Sequence, residues 1–261
     1  MPRDYPLLEA ITSGSVAVGG WLMAPCAVTA EVAADIGFDY CCIDMQHGLI
    51  DFADTISMLQ AMTGSTTTPA VRVPANEPSI IGRALDAGAM AVIVPMANTA
   101  EQARQAVQSA MYPPVGQRSS GPRRAALVEG PDYLAQANQR VQVIPMIETV
   151  EATTNLDEIL AVEHVNAVYV GPLDLSVSMG ITDAANDQTF SDMLDHIVER
   201  CTAHGVVPGI HASPGNIKEM IERGFRIVTA QTDITAIQEG LSQALAAASG
   251  DDTPAKPTSG F

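Results

Sequence analysis

Residues 91–110 read AVIVPMANTAEQARQAVQSA. The segment opens on a continuous apolar run, 91–95, which suits a parallel strand covered on both faces. From Thr99 the period changes. Ala100, Ala103, Val107 and Ala110 share one face of a helix, while Glu101, Gln102, Arg104 and Gln105 turn to water. A buried strand followed by a helix is one β/α unit, and the same rhythm recurs along the chain. Further strands are read at 16–23, 40–44, 70–73, 143–147, 167–171, 206–210 and 226–230. Eight strands alternating with helices in 261 residues predict an α/β fold, a (β/α)8 TIM barrel. A doubly wound open sheet is the rival, but it more often uses fewer strands and a Gly-rich phosphate turn. No GxGxxG or Walker-type sequence occurs. The expected organisation is one barrel domain over 1–248, interrupted by a long excursion at 112–142. A disordered tail rich in Asp, Thr, Pro, Ser and Gly is expected over 249–261.

Composition removes several classes of function. There are 30 Asp+Glu against 13 Lys+Arg, a formal charge of −17, and 47% hydrophobic residues. A net anion with no Lys/Arg-rich run does not suit nucleic acid or an anionic membrane surface. The longest apolar run, 88–97, is about half the ~20 residues of a spanning helix. Residues 1–14 lack a basic start followed by a hydrophobic stretch, so no signal peptide is expected. The four cysteines, with Cys41 and Cys42 adjacent, do not make a disulfide framework, and a cytoplasmic setting is expected. Neighbours on one strand point to opposite faces, so Cys41 and Cys42 are read as core rather than as metal ligands. The only lysines are Lys218 and Lys256. Lys256 falls in the tail and Lys218 is expected to point outward from a surface helix, so imine chemistry is not expected.

Catalytic groups of such a barrel gather at the C-terminal ends of its strands. Four strand ends here are polar. The stretch 40–48, YCCIDMQHG, carries Asp44 and then His47; VRVP at 71–74 holds Arg72 within an apolar run. IPMIET at 144–149 ends on Glu148, and VGPLDL at 170–175 carries Asp174. Either carboxylate alone could cap or charge the helix that follows. Two on successive strands, both facing the barrel mouth, repel unless a cation lies between them. A hard divalent ion is therefore expected, Mg2+ or Mn2+ first, with Co2+ or Zn2+ also open. His47 is the candidate general base, with Asp44 near enough to orient its ring. Arg72 in an apolar strand requires an anionic partner, either a ligand or the carboxylates. His211, just past a strand, is a minor candidate for the barrel mouth. Asp86, taken by itself, reads as surface charge.

These segments resemble the HpcH/HpaI aldolase/citrate lyase family. The likeness is to its class II pyruvate aldolases of the 4-hydroxy-2-oxoheptanedioate and 2-keto-3-deoxy-L-rhamnonate type. It runs from about Gly19 to Ala247, on Asp44-x-x-His47, Val71-Arg72-Val73-Pro74, Leu85-Asp86-x-Gly88, Val94-Pro95-Met96, Tyr112-Pro113-Pro114-x-Gly116-x-Arg118, Ile147-Glu148-Thr149 and Gly171-Pro172-x-Asp174. The resemblance implies a (β/α)8 barrel assembled as a hexamer, with a divalent metal on Glu148 and Asp174. It also implies His47 as base, Arg72 as transition-state stabiliser and Asp86 as a partner that raises the basicity of the histidine. Substrate contacts are expected from Arg72, Met146 and the Gly171-Pro172-Leu173-Asp174 turn. The family pattern is broken in three places: Met146 stands for a glutamine, Met45-Gln46 for Gly-Glu, and Leu173 for a small residue.

Together these residues suit cleavage or formation of 4-hydroxy-2-oxo acids through the enolate of pyruvate or hydroxypyruvate, with an aldehyde as the other partner. Oxaloacetate decarboxylation, as in the branch resembling macrophomate synthase, or cleavage of a CoA thioester are the alternatives on the same barrel. A non-catalytic scaffold is a third, but it has no need to keep base, cation and acid pair together. Arg118, Arg123 and Arg124, in the excursion, are expected to reach a neighbouring subunit.

Overall fold

A computed structural model describes residues 3–249. The strands are β1 (Ala17–Leu22), β2 (Tyr40–Asp44), β3 (Thr68–Arg72), β4 (Ala91–Val94), β5 (Gln142–Ile147), β6 (Ala167–Val170), β7 (Val207–His211) and β8 (Ile227–Thr232). The helices are α1 (Pro6–Ser13), α2 (Ala27–Asp35), α3 (Phe52–Ala61), α4 (Pro78–Asp86), α5 (Ala100–Ala110), α6 (Arg123–Glu129) and α7 (Tyr133–Arg140). They continue with α8 (Val150–Thr154), α9 (Leu156–Leu160), α10 (Pro172–Ser178), α11 (Gln188–His204), α12 (Ile217–Arg223) and α13 (Asp233–Ser249). The strands are parallel and close in sequence order, β1 through β8 and back to β1. This is the (β/α)8 barrel, and each strand lies within two residues of its expected bounds.

Two apolar layers hold it. Between strands and helices lies a continuous shell that includes Cys41, Val71, Val92, Ile147 and Val170. Inside the barrel a second cluster joins Trp21, Tyr40, Cys42, Ile93, Met146 and Tyr169. Cys41 and Cys42 therefore do face opposite ways, both fully buried, and all four cysteines are free thiols. Helix α1 closes the lower end of the barrel: Leu7, Ala10 and Ile11 join the interior cluster, and the Leu7 N–H donates to Thr68 Oγ1 at 3.1 Å. Helix α5 starts as its sequence dictates, with a capping box in which Thr99 and Gln102 satisfy each other's backbone N–H.

The excursion over 112–142 is not an open connection. It folds into α6 and α7, and its arginines turn inward. Arg118 is buried against Asp86 and Tyr133, and Arg124 binds the carbonyls of Ala87 and Leu59. Only Arg123 of the three stays exposed. Lys218 points outward beside Glu222. The expected tail lies outside the described residues apart from Ser249, the last residue of α13. No described helix is long and apolar enough to cross a membrane.

Candidate active site

Alternation along parallel strands fixes what faces the barrel mouth. Counting on by two from the interior residues Cys42, Ala70, Met146 and Tyr169 leads to Asp44, Arg72, Glu148 and Gly171, and by twice two from Val207 to His211. With Trp21 of β1 they form the uppermost inward set, which brings together Asp44, Arg72 and Glu148 of the polar residues read from sequence.

Asp44 and Arg72 are neighbours in register on β2 and β3. The guanidinium donates to the carboxylate through Nε at 2.9 Å and Nη2 at 2.5 Å. Asp44 is fully buried and Arg72 is 8% exposed. Burial alone raises a carboxyl pKa, but here the hydrogen bonds and charge of Arg72, with the Trp21 indole N–H at 3.2 Å, hold Asp44 below the ordinary carboxylate range. Arg72 is raised in turn: burial works against its charge, and Asp44 outweighs that. Its guanidinium also lies over the Trp21 ring, 5.1 Å from the centroid. Nη1 makes no hydrogen bond among the described residues, so it remains available to an anionic oxygen.

Glu148 follows β5 and is 1% exposed. It does not cap the next helix, because Thr149 does that by accepting from the Ala152 N–H. One carboxylate oxygen accepts from the Met96 N–H at 2.7 Å. To place that N–H, Met96 adopts φ 55°, a left-handed conformation costly for a side chain of its size. The other oxygen, Oε2, is buried with no hydrogen-bond partner. Burial, then the charge of Asp174, raises the Glu148 pKa against the pull of the Met96 N–H and Arg72. Asp174, in the first turn of α10, is exposed and has no hydrogen-bond partner among the described residues. Gly171 makes room between them: a Cβ there would stand 2.8 Å from Glu148 Oε2 and 3.0 Å from Met146 Cε. Met146 and Gly171 therefore pack against Glu148, and Pro172, Leu173 and Asp174 follow Gly171 in the first turn of α10.

An unpaired buried carboxylate oxygen beside a second carboxylate fits a divalent cation. Among the described residues no group of three or more His, Cys, Asp or Glu side chains gathers to bind one. Two carboxylates with the remaining positions left to water and substrate oxygens is the manner of a hard ion such as Mg2+.

His47 is exposed on the loop after β2. Its backbone N–H, like that of Gln46, donates to Asp44 Oδ1, at 3.2 and 3.0 Å. Asp44 thus steadies the loop that bears His47, while its side-chain bonds go to Arg72 and Trp21 rather than to the imidazole. Gly48 permits the loop's close return, since a Cβ there would fall 2.2 Å from the Asp44 carbonyl oxygen. Asp86 is placed elsewhere. It ends α4 just ahead of β4, at the opposite end of the barrel, and binds Arg118 at 2.6 Å. A groove of about 510 Å³ between α4 and α5 runs beside this pair on the outer wall.

Sequence reasoning did not single out Trp21 or the Met96 N–H. Trp21 had a usable signal, as the sole tryptophan, inside a strand read as buried. The Met96 contribution is a backbone group, which no side-chain pattern reveals.

A model of the family described as HpcH/HpaI aldolase/citrate lyase matches residues 18–238. A hydroxypyruvate/pyruvate aldolase of Rhizorhabdus wittichii is 39% identical over 237 residues, covering 89% of this chain and 94% of that protein. A 2-keto-3-deoxy-L-rhamnonate aldolase of Escherichia coli is 34% identical over 245 residues, 92% of each chain. The crystal structure of an HpcH/HpaI aldolase/citrate lyase family protein from Burkholderia cenocepacia superposes with a TM-score of 0.89 at 30% identity, covering 94% of this chain and 100% of that one. Matched over most of its length by that family's model and by aldolases, the chain is a carbon–carbon lyase and belongs to the HpcH/HpaI aldolase/citrate lyase family.

Proposed function

We propose that the chain is a divalent-metal-dependent class II aldolase that forms and cleaves 4-hydroxy-2-oxo acids, with pyruvate or hydroxypyruvate as donor and an aldehyde as acceptor. The observation that carries this reading is Glu148 Oε2, a buried carboxylate oxygen without a partner, next to Asp174. Glu148 and Asp174 hold the ion, Mg2+ or Mn2+ by preference, with Co2+ or Zn2+ as further candidates. When bound, the ion supplies Lewis-acid polarisation of the substrate's keto group. Arg72, locked by Asp44 and Trp21, directs Nη1 at the oxygen on which negative charge develops. Because the guanidinium is held before substrate arrives, little reorganisation accompanies the reaction.

In the cleavage direction His47 takes the proton of the C4 hydroxyl. The C3–C4 bond breaks, its electron pair passes to C3, and the aldehyde departs. Return of the proton to C3 gives the 2-oxo acid product. General base assistance of this kind contributes typically 10²–10⁴-fold. Met146, Gly171, Pro172 and Leu173 contact the substrate beside the carboxylates. Asp86 lies at the far end of its own barrel, so its partnership with His47 is one between subunits.

We assign a homo-oligomer on the same grounds, a hexamer by family resemblance. Helix α13 has no buried residue from Asp233 to 248, and it presents Ile237 and Leu241 to the exterior, 48% and 68% exposed. Helix α2 presents Val28 and Val32, and its C-cap Ile36 continues the row at helical spacing. These exposed apolar rows support an interface with other copies of the chain. The free thiols support a cytoplasmic setting.

Dialysis against EDTA tests the central claim. Pyruvate release from a 4-hydroxy-2-oxo acid should stop and should return on addition of Mn2+ or Mg2+. Turnover that persists in chelator, or in Glu148→Gln, would refute metal dependence at this site.

A further inference from the structure

His211 ends β7 and has no part in the chemistry above. It belongs to the same inward set, and its ring meets the Trp21 ring edge-on, with centroids 5.1 Å apart. Arg72 is the same distance from that ring, so Trp21 is a wall shared by the two. Val170 pairs with Ile147 on one side and Ile210 on the other. The residues that follow, Gly171, Glu148 and His211, are therefore level, and His211 looks into the layer that holds the carboxylate cradle. Among the described residues no hydrogen bond reaches either ring nitrogen. Burial, then the charge of Arg72, pushes its pKa down to about 4. At neutral pH the ring is uncharged, with one N–H and one lone pair.

A position that required only filling against Trp21 is served by an aliphatic side chain, which brings no polar atoms to desolvate. An imidazole offsets that cost when a polar group docks against it. The chemistry of the docking group follows from the surroundings. A carboxylate is drawn to Arg72 and the cation rather than to a neutral ring, and a methyl gains nothing from it. A hydroxyl both donates and accepts, as the ring does.

We propose that His211 is a specificity-determining residue that hydrogen-bonds a substrate hydroxyl and so favours hydroxylated substrates over their deoxy counterparts. This rests on the aldolase reading and refines it. The hydroxyl belongs either to the donor, separating hydroxypyruvate from pyruvate, or to the acceptor, separating glycolaldehyde from acetaldehyde.

The test measures kcat/KM for all four compounds, each with a fixed co-substrate, on the full-length metal-loaded protein, on His211→Leu and on His211→Asn. The native protein should prefer the hydroxylated member of one pair. The leucine variant should lower that member's kcat/KM by about 10- to 100-fold while leaving its deoxy counterpart within about threefold. The asparagine variant, which keeps a donor and an acceptor, should retain part of the preference and provides the reading if the leucine variant does not fold. The pair whose preference collapses identifies donor or acceptor. Equal loss on both members of each pair, or an unchanged ratio, overturns the proposal. Absence of turnover by the native protein on every combination sinks the aldolase reading itself.

Discussion

Asp44→Asn is the substitution that bears hardest on the site, because it changes charge with almost no change of shape. The carboxylate accepts five hydrogen bonds: two from Arg72, one from Trp21 and two from the backbone N–H groups of Gln46 and His47. An amide offers one acceptor oxygen, and its NH2 must face donors. Arg72, 8% exposed, is left without its charge partner. Breaking a buried ion pair from one side costs about 3–5 kcal/mol. For a domain of this size each kcal/mol lowers Tm by about 2–4 °C, so a fall of roughly 6–20 °C is expected. Differential scanning calorimetry at fixed protein and metal concentration reads it. Activity should fall by about 10²-fold, since the guanidinium loses its fixed position. The pH dependence has a definite sign. A carboxyl held below its unfolded value contributes stability that is complete above the ordinary carboxylate range and is lost as pH falls through the folded value. Acidification should therefore lower Tm more steeply in the native protein than in Asp44→Asn. A variant with unchanged Tm at neutral pH and native kcat/KM would show that the pair neither supports the barrel mouth nor positions Arg72.

Glu148 should respond in the opposite sense. Its pKa is raised, so ionised Glu148 costs the metal-free protein stability above that value, and the cost disappears as pH falls below the ordinary carboxylate range. Glu148→Gln should accordingly raise Tm of the metal-free protein at neutral pH and abolish the Tm gain on adding Mn2+; a lowered metal-free Tm would contradict this. Gly171→Ala forces Glu148 Oε2 or Met146 Cε to retreat by several tenths of an ångström. It should cost about 1–3 kcal/mol in chemical denaturation. It should also weaken Mn2+ binding about tenfold by calorimetry, and native affinity would remove Gly171 from the cradle.

The barrel was legible because its signal is repeated. Continuous apolar runs such as 91–94 and 167–170 require cover on both faces, and amphipathic helices such as α5 provide it. The excursion was less legible. Its arginines were expected to reach a neighbouring subunit, yet Asp86 and Tyr133 draw Arg118 inward, a long-range choice that local propensity does not encode. In the site, side chains at strand ends could be named because alternation sends them to one side. Their partners could not. That Asp44 serves Arg72 rather than the His47 ring depends on the β2–β3 register, and Met96 acts through a backbone N–H that any residue possesses. Asp86 shows the converse: a motif can mark a residue without saying at which end of the barrel it lies.

The two buried acids of the mouth divide the work by how each is satisfied. Asp44 has every lone pair engaged and a neutralising guanidinium, so it is structure, and nothing in it draws a ligand. Glu148 is equally buried, yet one oxygen is unmet and the charge that acts on it most strongly is a second carboxylate, Asp174. Exchanging those environments would abolish the site while keeping every residue. A fully paired Glu148 would have no demand for a cation, and an unpaired Asp44 would leave Arg72 free to collapse onto Glu148 and Asp174. On the proposed function, affinity for the ion arises where folding leaves the Glu148 charge uncompensated among the described residues, and the Asp44–Arg72 pair keeps that deficit from being met from within.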